Sequence, residues 1–171
     1  MRIPPVLETE RLRLRDMRLS DLDFLAEMVA DPEVMRFFPR PWSRVEAQGS
    51  LEKNLRRYTD HGHGFWLVEE RATELPVGRV GLLFQEVDGQ AEFEIGYMIH
   101  RPFWRQGYAT EGAFAVRQYA FEQAGLDRVI SLVRPENLPS QGVARKLGMQ
   151  PERETIFMGL RHLVFTVRRV G

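Results

Sequence analysis

Residues 92–111 read EFEIGYMIHRPFWRQGYATE, and their periodicity changes halfway along. The first half alternates and is rich in β-formers, as a strand requires. The second half is a loop that passes into a helix at Gly107, and Ala113, Val116 and Ala120 continue that helix at helical spacing. A strand, a short loop and a helix start built of small residues leave several backbone N–H groups free at the positive end of a helix dipole. That arrangement is a site for phosphate. Gly107 lets the backbone approach an anion closely, and Ala109 keeps the next turn slim.

The loop lacks the Lys-Ser/Thr ending of a nucleotide P-loop and the three glycines of a dinucleotide fingerprint. It resembles the acetyl-CoA signature of the GCN5-related N-acetyltransferases (GNAT), a Gln/Arg-x-x-Gly-x-Gly/Ala segment after a strand. Trp104, Arg105, Gln106, Gly107, Tyr108 and Ala109 occupy the six positions. Trp stands where Gln or Arg is usual. Trp-x-x-Gly-Tyr-Ala-Thr-Glu is, however, the wording of the ribosomal-protein N-terminal acetyltransferase (RimJ/RimL-like) branch and its small-molecule relatives.

The 171 residues, with 43% hydrophobic, 11% aromatic and 28% charged, suit a single domain spanning 1–171 with a sizeable core. Acidic and basic residues balance at 24 each, so no whole-molecule field draws the chain to nucleic acid or an anionic membrane. There is no long apolar run, and MRIPPVLETERL has no apolar core of a signal peptide, so a cytoplasmic location is expected. With no cysteine, disulfides, Cys-based metal sites and an enzyme thioester are excluded. His61 and His63 in His-Gly-His-Gly read as a flexible turn rather than a metal pair, and no metal is expected.

Taken in order, residues 8–15 alternate Leu12 and Leu14 with Arg11, Arg13 and Arg15, a strand with one buried face and a solvated arginine stripe. Ser20 is placed to cap a helix with Leu22, Leu25, Met28 and Val29 on one side, ending near Pro32. The proline-broken aromatic segment 36–42 follows, and Ser43 is placed to cap a second helix through about Tyr58. Strands are expected at 65–69, 77–84 and in the 92–99 region as a meander. Gly125 closes the central helix, and 128–133 forms a strand parallel to the one at 92. A short helix opens at 135–140 and stops at Gly148. A closing hairpin is expected from 154–158 and 163–167 around Gly159 to His162. The order β-α-α-β-β-β-α-β-α-β-β is that of the GNAT fold: an α/β (α+β) mixed, mostly antiparallel sheet with helices on both faces and splayed parallel central strands.

The resemblance implies acetyl-CoA as co-substrate, its pantetheine arm filling the gap between the parallel strands. Main-chain groups of Met98, Ile99 and His100 would pair with pantetheine, and a backbone N–H, that of Met98, would polarise the thioester carbonyl. Amides of Arg105, Gln106, Gly107, Tyr108, Ala109 and Thr110 would hold the pyrophosphate, with a direct charge contact from Arg105 as an alternative to plain exposure. Asn137 matches the family's cofactor-binding asparagine. Glu94 is the candidate general base, with Glu92 two residues earlier as its alternate. Ser140 matches the branch's donor to the departing thiolate, or else it caps its helix. Glu111 reads as a first-turn carboxylate serving the helix dipole.

The function implied is acetyl transfer to a primary amine by direct attack within a ternary complex. A protein N-terminal amine is the first choice of acceptor, and a polyamine, aminoglycoside or amino-acid derivative is the second. A module that binds acyl-CoA without turnover is the reading from a different class. Phe157, Leu160, Leu163 and Phe165 of the last hairpin fit either the interior or a second copy of the chain, which leaves a homodimer open.

Overall fold

A computed structural model, describing residues 2–171, gathers the alternating segments into one eight-stranded sheet. The strands are β1 (Pro5–Glu8), β2 (Leu12–Asp16), β3 (Phe65–Glu70), β4 (Pro76–Val87), β5 (Gln90–Ile99), β6 (Arg128–Val133), β7 (Gln150–Phe157) and β8 (Leu160–Arg168). The helices are α1 (Leu22–Ala30), α2 (Arg44–His61), α3 (Tyr108–Glu122) and α4 (Leu138–Lys146). Spatial order is β1-β2-β3-β4-β5-β6-β8-β7, and β5 with β6 is the only parallel pair among the described residues. The hairpin strand β8 therefore sits inside β7, against β6.

Alternation decides which helix lies on which face. Trp66 and Val68 of β3 join the cluster that includes Ala113, Val116 and Ala120 of α3 and Ala144 of α4. Leu67, between them, faces the other way, into a cluster with Leu25, Met28 and Val29 of α1 and Ala47 and Leu51 of α2. Each fully buried Leu or Met there contributes about 1.5–3 kcal/mol relative to exposure. Gly112 brings α3 close to the sheet, since a Cβ at that position would lie 3.3 Å from Val80.

Several local expectations are corrected. The strand expected over 8–15 is two, because Thr9 turns the chain: its amide donates to the Leu12 carbonyl and its hydroxyl accepts from the Leu12 amide. Arg15 is not solvated. It is 5% exposed, since the entry to α1 covers that side of β2, and it is paired with Asp21 and Glu69. Asp21, not Ser20, precedes α1, and its carboxylate accepts from the Arg18 amide at 2.8 Å. Ser43 caps α2 as expected, but the helix runs on to His61 and ends at the left-handed Gly62. His61 stacks on Phe84 and His63 is buried against the Leu82 carbonyl, so this stretch is held rather than flexible. The last hairpin turns on two residues, Met158 and Gly159, both at positive φ, as a tight primed turn needs, and β8 accordingly starts at Leu160.

Candidate active site

β5 and β6 touch through one ladder pair, Glu94 with Ile130, and then part, although β5 continues to Ile99 and β6 to Val133. At the fork the Ser131 hydroxyl reaches across to the Ile95 carbonyl at 2.8 Å. On the other side, β5 pairs with β4 without a register break, and the His100 amide donates to the Val77 carbonyl at 2.8 Å. Antiparallel pairing alternates, so the main-chain groups of Met98 and His100 are directed at β4, and those of Tyr97 and Ile99 at the gap. Of the main-chain set expected to meet pantetheine, Ile99 faces the gap while Met98 and His100 are paired with β4, and Tyr97, outside that set, faces the gap as well.

Past β5, the Trp104 indole N–H donates to the Ile99 carbonyl at 2.7 Å, which ties the loop to the strand end. That bond gives the unusual first residue of the loop a role. Arg105 and Gly107 both have left-handed backbone, with φ of 62° and 79°. Alternating hands of this kind curl successive N–H groups inward. Among the described residues, the amides of Arg105, Gln106, Gly107, Tyr108, Ala109 and Thr110 have no acceptor, and the first α3 amide with a helical partner is that of Glu111. Six adjacent free donors at the head of a fifteen-residue helix fit a diphosphate.

Glu111 does more than face the helix dipole. Its carboxylate accepts from the Thr9 hydroxyl at 2.5 Å, the Arg11 amide at 3.0 Å and Arg11 Nε at 2.7 Å. Burial by itself would raise its carboxyl, but these bonds outweigh burial and its pKa is lowered. The Arg11 guanidinium lies 4.5 Å over the Tyr108 ring, and Tyr108 donates in turn to Glu70. The loop is therefore clasped to the ends of β2 and β3. The sequence reading places Arg11 only in the solvated arginine stripe and gives Thr9 no role; the Thr-Glu-Arg wording before β2 is the available signal.

At the fork, Glu94 accepts from Gln85 Nε2 at 3.1 Å and from the Leu132 amide at 3.3 Å, and Arg57 of α2 is a neighbouring charge. Burial pushes its carboxyl up against these favourable contacts. Glu92 is engaged elsewhere, held by both Nε and Nη2 of Arg128. On the opposite face of β5 the Tyr97 hydroxyl donates to the Ser140 carbonyl at 2.7 Å and accepts from Ser140 Oγ at 3.1 Å. Its pKa is pushed up to about 12, by burial first. Asn137, not Ser140, caps α4, its side-chain oxygen accepting from the Ser140 amide at 3.1 Å.

The aromatic segment is anchored at both ends: the Trp42 amide donates to the Val29 carbonyl, and Arg134, just past β6, donates to the Phe37 carbonyl at 3.0 Å. It thus crosses from the α1 side of the sheet to the far side of the gap. A surface recess lies beside the second half of α2, lined by Lys53, Arg56, Arg57 and Gln85, the last being the residue bonded to Glu94.

A sheet opened along its parallel pair, with a cradle of free amides past one strand and a half-buried carboxylate at the fork, has the shape and chemistry to take an extended, phosphate-headed ligand beside an acid–base group. The family follows from comparison: the Acetyltransferase (GNAT) domain matches residues 11–150, and the chain belongs to that family of acyltransferases. Among relatives, YkkB of Bacillus subtilis is 33% identical over 144 residues, 84% of each chain. The N-acetyltransferase YnaD of the same organism is 29% identical over 85% of this chain and 83% of its own. The FsC-acetyl coenzyme A-N(2)-transacetylase of Aspergillus fumigatus is 31% identical, over 85% of this chain and 65% of its own. Among solved structures, an acetyltransferase from Agrobacterium tumefaciens superposes with a TM-score of 0.83 at 26% identity, covering 99% and 96% of the two chains. RimL, a ribosomal L7/L12 α-N-protein acetyltransferase in complex with coenzyme A, shares the fold at a TM-score of 0.73 and 19% identity, covering 99% and 98%.

Proposed function

We propose that this chain moves an acetyl group from acetyl-CoA to a primary amine by direct attack in a ternary complex. One observation carries the reading: the half-buried Glu94 lies on the opened strand β5, and the six free amides of 105–110 follow directly past that strand's end. Acetyl-CoA supplies the activated acetyl group. The amides of 105–110 hold its diphosphate, the gap-facing N–H groups of Tyr97 and Ile99 pair with pantetheine and the thioester oxygen, and the Asn137 side chain, whose oxygen caps α4, bonds to pantetheine through its nitrogen.

The acceptor nitrogen forms its bond to the thioester carbon, the carbon–sulfur bond breaks, and the nitrogen's surplus proton passes to Glu94, directly or through water. The leaving thiolate is met by Ser140 Oγ, whose hydrogen now lies on Tyr97 and reaches the sulfur by rotation. A peptide α-amine with a pKa near 8 is about one-tenth neutral at pH 7, whereas a lysine-type amine near 10.4 is neutral to less than about a thousandth. Glu94 therefore matters more for the second kind.

The acceptor read first is a protein N-terminal amine, supported by the Trp-x-x-Gly-Tyr-Ala-Thr-Glu wording and the fold shared with RimL. A small amine is the second reading, favoured by the higher identity to the Aspergillus transacetylase. With no cysteine in the protein, a thiol-reactive dye reports released CoA without background. Panels of peptides, polyamines, aminoglycosides and amino acids are expected to give release on one class. Tight acetyl-CoA binding with no release on any of them would make the chain a binding module instead.

A further inference from the structure

Arg79 of β4 lies on the face covered by α2, opposite Leu67 of β3 and Met98 of β5. It is 4% exposed, and no carboxylate among the described residues pairs with it. Nη1 donates to Ser50 Oγ at 3.2 Å, the guanidinium sits 4.2 Å from the Phe65 ring centre, and Nε is sealed from solvent with no acceptor. Nη2 has no hydrogen bond among the described residues. Its charged neighbour Arg57 is another cation. Burial pulls its pKa down to about 10, so it is still charged at neutral pH. Arg15, equally buried, is matched by Asp21 and Glu69. A buried cation without an anion is a costly arrangement. An apolar side chain would fill the space between Leu67 and Met98 without that cost, so the fold itself does not call for arginine here.

The position explains what the charge is for. The Phe65 ring lies on Gly96, where a Cβ would come within 2.9 Å of it. Gly96 is the next residue after Glu94 on this face of β5. From the guanidinium, the ring and the bare glycine lead to the candidate base, with Gly96 and Glu94 one strand repeat apart, about 7 Å. In the recess beside α2, the cations Lys53, Arg56 and Arg57 outnumber the acids Asp60 and Glu86.

We propose that Arg79 receives a carboxylate of the acceptor. The amines acetylated are then those with a carboxylate about one residue's length from the nitrogen, in a free amino acid or the acidic start of a peptide. This rests on the acetyl-transfer reading above.

The test compares matched pairs by thiol release: β-alanine against its amide, glutamate against glutamine, and tripeptides beginning with Asp against the same beginning with Asn. The native enzyme is expected to favour the carboxylate member of at least one pair by about tenfold to a hundredfold in kcat/KM, the free amino acids or the peptides telling which source applies. In Arg79→Met that ratio falls close to one, and in Arg79→Lys it is partly kept. Equal rates within every pair, or a ratio that Arg79→Met leaves alone, would overturn the proposal. Thermal unfolding gives a readout without turnover. Arg79→Met is expected to melt no lower than the native protein, and succinate, against sodium chloride at equal ionic strength, to raise the native Tm by about 2–4 °C and the variant's not at all. A variant that melts several degrees lower or does not fold, or a native protein indifferent to succinate, shows Arg79 to be structural. If no amine at all is acetylated, the transfer reading falls, and the unfolding comparison still decides whether Arg79 holds an anion.

Discussion

Glu94 combines two features that a base at the fork needs: partial burial, which raises its proton affinity, and two donors that hold the carboxylate in one orientation. Glu94→Gln keeps the shape and removes the proton acceptor. A fall in kcat of about 10²–10⁴ is expected on lysine-type amines and a smaller one on peptide α-amines, with acetyl-CoA affinity by calorimetry within about twofold of native. Because the carboxyl is raised and the base works ionised, kcat/KM of the native enzyme gains an acid limb that rises with pH through the raised value. That limb is absent in Glu94→Gln. Gly107 tests the anion cradle. A Cβ there meets only Arg11 Nη2, at 3.5 Å, so room is available, but φ of 79° is left-handed. Gly107→Ala therefore acts through backbone strain of about 1–2 kcal/mol and is expected to weaken acetyl-CoA binding by about tenfold.

The clasp among β2, β3 and the first turn of α3 works between elements, and its test is stability against pH. Glu111 accepts three hydrogen bonds, and Glu111→Gln is expected to cost about 1–3 kcal/mol at pH 7 in a denaturant titration. Its carboxyl is lowered in the folded protein. The contribution is therefore complete above the unfolded value, about 4.3, and is lost as pH falls below it through the folded pKa. The native and variant curves should converge in acid; a gap that persists at pH 2 would mean the loss is one of packing. The elements themselves were largely legible. Period-two runs and the Ser43 cap place β3, β4, β5 and α2 without reference to anything distant. The arginine stripe of β2 was not legible, because Arg15 becomes buried only when the entry to α1, six residues on, brings Asp21 onto it.

Across the molecule, the segment 36–42 spans from the α1–α2 side to the end of β6, held there by Arg134 on the Phe37 carbonyl. The Arg134 side chain is 23% exposed and pairs with Glu136 at 3.5 Å. Arg134→Met frees the segment without touching the cofactor loop. Amide exchange in 36–42 is expected to speed up by about tenfold while 105–122 is unchanged, and the acceptor KM to rise while that for acetyl-CoA does not. Equal exchange in both proteins would show the anchor to be idle.

Sequence alone settled what depends on neighbours along the chain: the strand-loop-helix at 92–122 and the signature from Trp104 to Ala109, whose resemblance to the GNAT family implied the fold and the acetyl-transfer chemistry. Local φ/ψ preference and short-range periodicity act within a few residues and can be read there. Folding in three dimensions settled the rest. It decided that β8 lies inside β7, that Tyr97 and Ile99 rather than Met98 and His100 face the gap, that Tyr97 meets Ser140, and that Arg79 is left without an anion. Strand order, pairing phase and charge partnership are set between residues tens of positions apart, where the sequence carries no period to follow.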